Sequence, residues 1–150
     1  MNTETAAGQN SDVRLLTPEE IARRIGELEE LLAPAFDCSV GEIQTIDALL
    51  LAIQGRMWVF VGEINSRINM AFIVEFMDFP RRRVMNVVGW AGPSRDFYWY
   101  LSTLEHWAQL NGAKEIRGYG PERAMRHARH FGFEEIYRVY RKELGKDMPC

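Results

Sequence analysis

The stretch from Arg83 to Gly112 is the feature that most constrains how this chain of 150 residues can fold. It begins with RVMNVV, whose four apolar residues are Val84, Met85, Val87 and Val88. This run ends at Gly89 and is typical of a strand covered on both faces. A long helix is predicted over 94–111, with Ser94 as its cap and a glycine after its last residue. A glycine turn from a strand into a helix is a common anion site, because the first backbone N–H groups and the helix dipole face it.

The other elements follow from hydrophobic periodicity and capping signals. Thr17 and Glu20 form a capping box for a first helix that is expected to end at Pro34. Ser39 and Glu42 predict the start of a second helix, and a short helix over 120–132 is closed by a glycine. Strands are predicted at Val13–Leu16, Met57–Glu63, Ile68–Phe79, Arg83–Val88, Lys114–Tyr119 and Phe133–Leu144.

These elements predict an α/β (α+β) fold with the order β-α-α-β-β-β-α-β-α-β. Short connections join the second, third and fourth strands, so we expect an antiparallel meander. The fifth strand follows a helical crossover and is predicted to lie parallel to the fourth, in a mixed central sheet with helices on both faces. We expect one domain over 13–144, after a flexible arm at 1–12 and before a tail at 145–150.

Charge is unevenly distributed, although the net charge is only −3. Residues 1–75 carry 12 acidic and 5 basic side chains, whereas residues 76–150 carry 9 and 13, which gives −7 and +4. Any affinity for anions therefore belongs to the C-terminal half. Two distant cysteines form no metal or disulfide pattern, and we expect neither a signal core nor a membrane span. A reduced cytoplasmic setting is the prediction.

The element order, with Gly132-Phe133-Glu134 joining the short helix to the last strand, resembles the GNAT family of acyl-CoA-dependent N-acyltransferases. Within that family it resembles the small GNAT-like proteins encoded by tailed phages. The resemblance implies that acetyl-CoA lies between splayed fourth and fifth strands, with its pyrophosphate on the loop before the long helix. The cofactor-binding residues implied in this way are Val87, Val88, Gly89, Gly92, Ser94 and Arg95.

Several residues depart from the family pattern. In the loop, Pro93 lacks a backbone donor, Asp96 repels a diphosphate, and Trp90 is bulky where close approach is wanted. In the short helix, Ala128 occupies the position of the family's tyrosine acid, so Tyr119, Tyr137 or His127 would have to replace it. Two functions stay open: an active acetyltransferase, or a GNAT-like phage protein without catalysis that acts in the virion, in assembly or on the host, in the host cytoplasm or the virion.

Two polar residues interrupt apolar strands and are candidates for catalysis together with Tyr119. Glu75 lies within MAFIVEFM and Asn86 within VMNVV. A polar group in a central strand is costly unless it is paired, and a carboxylate there could act as a base toward an amine. The structural alternative is that Glu75 lies at a rim and pairs with an arginine.

Two surfaces are candidates for partners. The segment Phe97–Trp107 contains more aromatic residues than one helix stripe facing the sheet can bury. The others could form a protein interface or a homo-oligomer contact. Arg123, Arg126 and Arg129 form a basic helix face that could receive an anionic partner or could simply be solvated. No nucleic-acid module and no metal-ligand spacing is present, so neither partner is expected.

Overall fold

The computed structural model describes residues 13–37, 39, 41–93 and 97–145. These residues divide into two compact units, one up to Tyr119 and one from Gly120 onward. The predicted arm at 1–12, the predicted cap at Ser94 and most of the predicted tail lie outside the described residues.

The first unit contains a mixed sheet whose five described strands follow in the order β1-β2-β3-β4-β5. Neighbouring strands pair antiparallel except β4 and β5, which are parallel, so the predicted meander and the parallel crossover are confirmed. The strands are β1 (Val13–Leu15), β2 (Trp58–Ile64), β3 (Arg67–Phe79), β4 (Arg82–Ala91) and β5 (Ala113–Gly118). The helices are α1 (Pro18–Arg23), α2 (Ile25–Phe36), α3 (Thr45–Ile53) and α4 (Phe97–Leu110).

Helices cover both faces of this sheet, as predicted. On one face, buried residues of α2 and α3 form a core cluster with Val59, Val61 and Ile73. On the other face, α4 packs Tyr100 against the strand at Gly62. The predicted stripe of α4 is buried, which confirms its orientation: Phe97, Leu101, Leu104 and Ala108.

Two helix boundaries differ from the prediction. The first helix is divided at Arg24, which leaves helical geometry while its guanidinium donates to Glu27, Glu63 and the carbonyl of Ser66. Pro34 does not end α2; the helix continues to Phe36, which is only 5% exposed. Burial of that ring outweighs the backbone hydrogen bond that a proline removes.

The start of α3 also differs, because the predicted capping box at Ser39 and Glu42 does not form. The helix begins at Thr45, and the Asp47 carboxylate accepts from the backbone N–H of Gln44 at 3.0 Å. Ser39 instead donates its hydroxyl to the carbonyl of Ile43. The capping interaction at the start of α3 is therefore made by the Asp47 carboxylate, two residues into the helix, and not by Ser39.

The second unit contains α5 (Glu122–Arg129), as predicted, and Gly132 follows it with a φ of +89°. The predicted last strand over Phe133–Leu144 is wrong, since residues 133–143 adopt neither helix nor strand. A strand requires a partner for its backbone groups, and no described strand pairs with this segment.

A carboxylate at the end of β2 joins three other elements of the first unit. Glu63 accepts from Arg14 of β1 and from Arg24, the residue between α1 and α2, each at 2.7 Å. Hydrogen bonds from Arg24 and then Arg14 hold the pKa of Glu63 below its usual range, although partial burial opposes this. The ion pairs therefore connect β1, β2 and the two helices that cover them.

Replacing Glu63 with glutamine is expected to lower the melting temperature at neutral pH, because two guanidinium groups lose their charged acceptor. A carboxyl group whose pKa is lower in the folded state stabilises the fold above its ordinary pKa, and this contribution is lost as the pH falls through the folded pKa. The difference between wild type and Glu63→Gln should therefore be full at pH 7 and vanish in acid. Thermal unfolding across pH measures it, and a difference that persisted unchanged at pH 3 would contradict the assignment.

Candidate functional site

Strand β4 extends beyond the point where β5 leaves it. The pairing with β5 ends at Val87 and Gly118, whereas the pairing with β3 continues to Ala71 and Ala91. The outer backbone edge of residues 88–91 therefore has no strand partner among the described residues. Unpaired N–H and C=O groups at a strand edge can bond to an extended ligand that bears amides.

The predicted strand end at Val88 is wrong, because β4 includes Gly89, Trp90 and Ala91. The register with β3 shifts here: Val74 pairs with Val87 and Ile73 with Gly89, which leaves one extra residue in β4. Such a bulge bends a strand and is common beside active sites. Gly89 and Gly92 were both predicted to lie in the loop. In the structure Gly89 belongs to β4, and Gly92 begins the loop.

The ring of Trp90 packs against two aromatic residues, one on β3 and one at the start of α4. Its ring packs at 4.6 Å from Phe97 and 6.1 Å from Phe72, between centroids. Gly92 has a φ of +139°, and a Cβ there would lie 2.7 Å from the carbonyl oxygen of Asn69. The backbone can make this close approach only with glycine, so Gly92 has a structural role at the start of the loop.

Glu75 and Asn86 form a pair across β3 and β4. They are register partners, and the Asn86 side-chain amide donates to Oε1 of Glu75 at 3.0 Å. The described contacts pair Glu75 with Asn86, and not with an arginine as the structural alternative expected. Asn86 is 6% exposed, and its Oδ1 has no hydrogen-bond partner among the described residues. A buried acceptor without a donor is costly and marks a place where a ligand or water can bond.

The pair lies on the sheet face that α2 covers, because Glu75 is two residues from Ile73 of that core cluster. Phe36, the last residue of α2, lies directly over Gly89, where a Cβ would be 2.8 Å from its ring. Gly89 pairs with Ile73, so the end of α2 stands over the row next to Glu75 and Asn86. Both polar residues therefore lie where β4 begins to leave β5.

Arg117 was not singled out from the sequence, yet it is the register partner of Asn86 on β5. Its guanidinium donates to Glu115 at 2.8 Å and lies over the ring of Phe79 at 5.1 Å. Hydrogen bonds from Arg117 are the largest cause that lowers the pKa of the Glu115 carboxyl. The sequence does contain a signal for this contact: Glu115 and Arg117 carry opposite charges and lie two residues apart, on the same face of a strand.

The remaining candidates occupy separate places. Tyr119 is 63% exposed and directly follows Gly118, the last residue of β5. Val87 and Val88 are half-buried at the divergence, while Ser94 and Arg95 lie outside the described residues. In the second unit, Arg123, Arg126 and Arg129 are exposed on α5, and Arg129 lies 3.8 Å from Glu122. An anionic partner at this helix face stays a prediction.

Phe97, Tyr100 and Trp107 of α4 pack against aromatic residues of the sheet. Trp107 packs its ring 4.9 Å from Phe60 and 5.3 Å from Phe76, and Tyr100 is 1% exposed. Trp99, in contrast, has 56% of its surface exposed, and an interface at this part of α4 stays a prediction. The described residues contain no cluster of metal-binding side chains, and none of their helices is both long and apolar enough to cross a membrane.

Comparison with known proteins identifies the fold. No protein-family model matches the sequence, and no curated protein resembles it significantly. Solved structures do: an aminoglycoside acetyltransferase from an uncultured soil metagenomic sample, in complex with sisomicin, has a TM-score of 0.66 at 14% identity, covering 88% of this chain and 95% of that one. The ribosomal-protein-alanine N-acetyltransferase of Brucella melitensis biovar Abortus 2308 has a TM-score of 0.66 at 12% identity, covering 89% and 99%.

A third similar structure is an aminoglycoside N-acetyltransferase in complex with CoA, with a TM-score of 0.63 at 16% identity over 88% of this chain and 99% of that one. These neighbours have the GNAT fold, and the resemblance inferred from the element order is confirmed at the level of fold. None of the three is described as a phage protein, so the phage resemblance stays a prediction. Identities this low leave the activity to be inferred from the site.

Proposed function

We propose that the chain transfers an acetyl group from acetyl-CoA to an amine at the point where β4 leaves β5. The observation that carries the proposal is the open edge of residues 88–91 beside the Glu75–Asn86 pair. A strand edge without a described strand partner and a carboxylate–amide pair, in which Asn86 is buried and Glu75 half-buried, meet on adjacent rows of one sheet. This combination suits an extended acyl donor and an amine that must lose a proton.

The residues at the divergence fit the pantetheine arm of acetyl-CoA. Its amides can pair with backbone groups on the edge of residues 88–91 that no described strand occupies, as an added strand would. Bound in this way, acetyl-CoA would supply an acyl carbon activated as a thioester. The bulge after Val87 and the half-buried valines at 87 and 88 would hold that arm at the end of β5 and limit the access of water.

Glu75 is proposed to accept a proton from the acceptor ammonium, directly or through water. The neutral amine nitrogen then attacks the acyl carbon; the N–C bond forms, the C–S bond breaks, and the sulfur takes up a proton from its donor. The nitrogen releases its second proton to solvent, from which the donor is reprotonated. Asn86 would position Glu75, since its amide already donates to that carboxylate. Tyr119 is the proposed proton donor to sulfur, because it follows the last paired residue of β5 and Ala128 offers no hydroxyl.

The neighbours support an amine as acceptor, since the three structures described above are N-acetyltransferases or acetyltransferases of aminoglycosides. Charge supports a cationic one. Residues 25–55 carry six acidic side chains and no basic one. They form α2, α3 and the connection between them, which begins beside the Glu75–Asn86 row. A negative field at this place would concentrate an amine that carries further ammonium groups.

Calorimetric titration tests the donor site. We expect acetyl-CoA and CoA to bind, and adenosine 3′,5′-bisphosphate, which lacks the pantetheine arm, to bind at least about tenfold more weakly, because each pairing of an amide with the open edge adds stabilisation. Absence of binding at millimolar acetyl-CoA would refute the proposed activity. Equal affinity for the bisphosphate would show that the open edge of β4 is not used.

The acceptor is tested by comparing spermidine with n-butylamine in a coupled assay of CoA release. We expect the double variant Asp37→Asn/Glu42→Gln to raise the KM for spermidine at least about threefold and to leave the KM for n-butylamine unchanged. The variant Glu19→Gln/Glu105→Gln removes the same charge from exposed positions on α1 and α4, outside residues 25–55, and is the matched control. Equal effects of the two variants would place the acceptor elsewhere.

The second candidate is an interaction protein without catalysis, with a role in the virion, in assembly or on the host. The observations that favour it are Ala128, at the position of the expected acid, and the exposed ring of Trp99. Titration separates the two candidates, since this role requires no acetyl-CoA. The phage setting and the cytoplasmic location stay predictions.

A further inference from the structure

A cavity of about 270 Å³ lies in the first unit, where β1 ends and β2 begins. The start of α1 and the end of α3 form its other walls. Four of the residues that line it are buried, namely Leu16, Ile21, Ala52 and Met57. Leu15 also lines the cavity and is 40% exposed, so the cavity opens to solvent at this end of β1.

The walls of this cavity offer few hydrogen bonds. Two lining residues carry polar side-chain groups, Thr17 and Trp58, and the others are apolar or glycine. The Thr17 hydroxyl already accepts from the backbone N–H of Glu20 at 3.2 Å, and the ring of Trp58 packs 5.3 Å from that of Phe76, between centroids. A buried water needs two to four polar partners, so this space suits an apolar group better than water.

The volume of the cavity sets the size of a ligand. An apolar cavity of ~150 Å³ binds benzene, so a cavity of 270 Å³ has room for about ten carbon atoms. The unbranched side chain of Met57 can adapt its shape to a flexible chain. An aliphatic tail of this length therefore fits the cavity.

Arg56 provides a positive charge beside the cavity. It lies between Gly55 and Met57, which both line the cavity, and its side chain is exposed. Within the described part of the chain, no carboxylate forms an ion pair with Arg56. Of the two acids beside the lining residues of α1, Glu20 already belongs to an ion pair, and Glu19 is exposed, so water and salt screen its charge. The guanidinium of Arg56 can therefore bind the carboxylate of a ligand.

We propose that the cavity binds a medium-chain carboxylate of about eight to ten carbon atoms, with its tail between β1, α1 and α3 and its carboxylate on Arg56. Burial of the tail supplies the affinity, and the ion pair selects the head group. No lining residue belongs to the open edge of β4 or to the Glu75–Asn86 pair, so the proposal is independent of acetyl transfer.

Calorimetric titration with hexanoate, octanoate and 1-octanol is the first test. We expect octanoate to bind at least about tenfold more tightly than hexanoate, because two further CH₂ groups leave water. It should also bind about threefold more tightly than 1-octanol, which has a tail of the same length and no charge. Absence of octanoate binding at millimolar concentration would overturn the proposal, as would equal affinity for 1-octanol.

Variants locate the site. Arg56→Gln should weaken octanoate about threefold and leave 1-octanol unchanged, and Arg67→Gln, at an exposed arginine on β3, is the matched control. Leu15→Asp should weaken both ligands at least about tenfold, because it places a carboxylate at the mouth of the cavity. Ile64→Asp, at a residue of β2 that is 41% exposed, should weaken neither. Octanoate binding that survives Leu15→Asp, or that is unchanged in Arg56→Gln, would overturn the proposal; circular dichroism confirms that each variant is folded.

Discussion

Replacing Glu75 with glutamine is expected to lower kcat/KM for acetyl transfer by at least about 100-fold, since a positioned general base contributes factors of this size. The substitution keeps the shape of the side chain and its ability to accept from Asn86. What it removes is the capacity to take a proton from an ammonium group. Affinity for CoA should stay the same, because the open edge of β4 consists of backbone.

A pH profile shows whether Glu75 acts as a base or only as a structural acceptor. The residual activity of Glu75→Gln should rise with pH as the fraction of amine that is already neutral in solution rises, so its deficit relative to the wild type should shrink toward the pKa of the amine. Asp78→Asn is the matched control: the same carboxylate-to-amide change on β3, at a side chain that is 69% exposed and pairs with Arg83 at 3.0 Å. If Glu75→Gln retained the activity of this control, catalysis would not involve Glu75.

Asn86 is expected to affect catalysis by positioning Glu75, and not by a separate contact with the substrate. Asn86→Leu removes the donor to Oε1 and leaves the carboxylate less restrained, so we expect kcat to fall while the KM for acetyl-CoA is kept. In the Glu75→Gln background the same substitution should have little further effect on the residual rate. Independent, multiplicative losses would show that Asn86 has a separate role.

Replacing Gly62 with alanine is expected to destabilise the fold by about 1–3 kcal/mol, the usual cost of an extra methyl group in a packed core. The new Cβ would lie 2.7 Å from both Cε1 and Oη of Tyr100, whose side chain is 1% exposed. One of the two elements, β2 or α4, would have to move. Urea unfolding, with the slope m compared between variants, measures the change.

A double-mutant cycle attributes the loss to this contact. In the background of Tyr100→Leu, which removes the ring, Gly62→Ala should cost at least about 1 kcal/mol less than in the wild type. Gly26→Ala is the control, because no atom lies within 4 Å of the added Cβ on α2. It should stabilise the protein by about 0.5–1 kcal/mol, as alanine is the better helix former. Equal costs in both backgrounds would mean that α4 packs differently on β2.

The sequence by itself determined the features that depend on neighbouring residues. The capping box of Thr17 and Glu20 forms as predicted, with the Glu20 N–H donating to the threonine hydroxyl at 3.2 Å. The stripe of α4 and the parallel placement of β5 also follow from spacing and from the length of the crossover. The polar interruptions at Glu75 and Asn86 were visible because a strand tolerates few such groups.

Only the tertiary structure decided which distant groups meet, because that depends on register and packing across elements. It paired Glu75 with Asn86 and placed Arg117 beside them, whereas the sequence offered an arginine as the partner of Glu75. It carried β4 past Gly89, since pairing with β3 continues after β5 has left. It gave no strand to residues 133–143, because a strand forms only where another backbone supplies its hydrogen bonds.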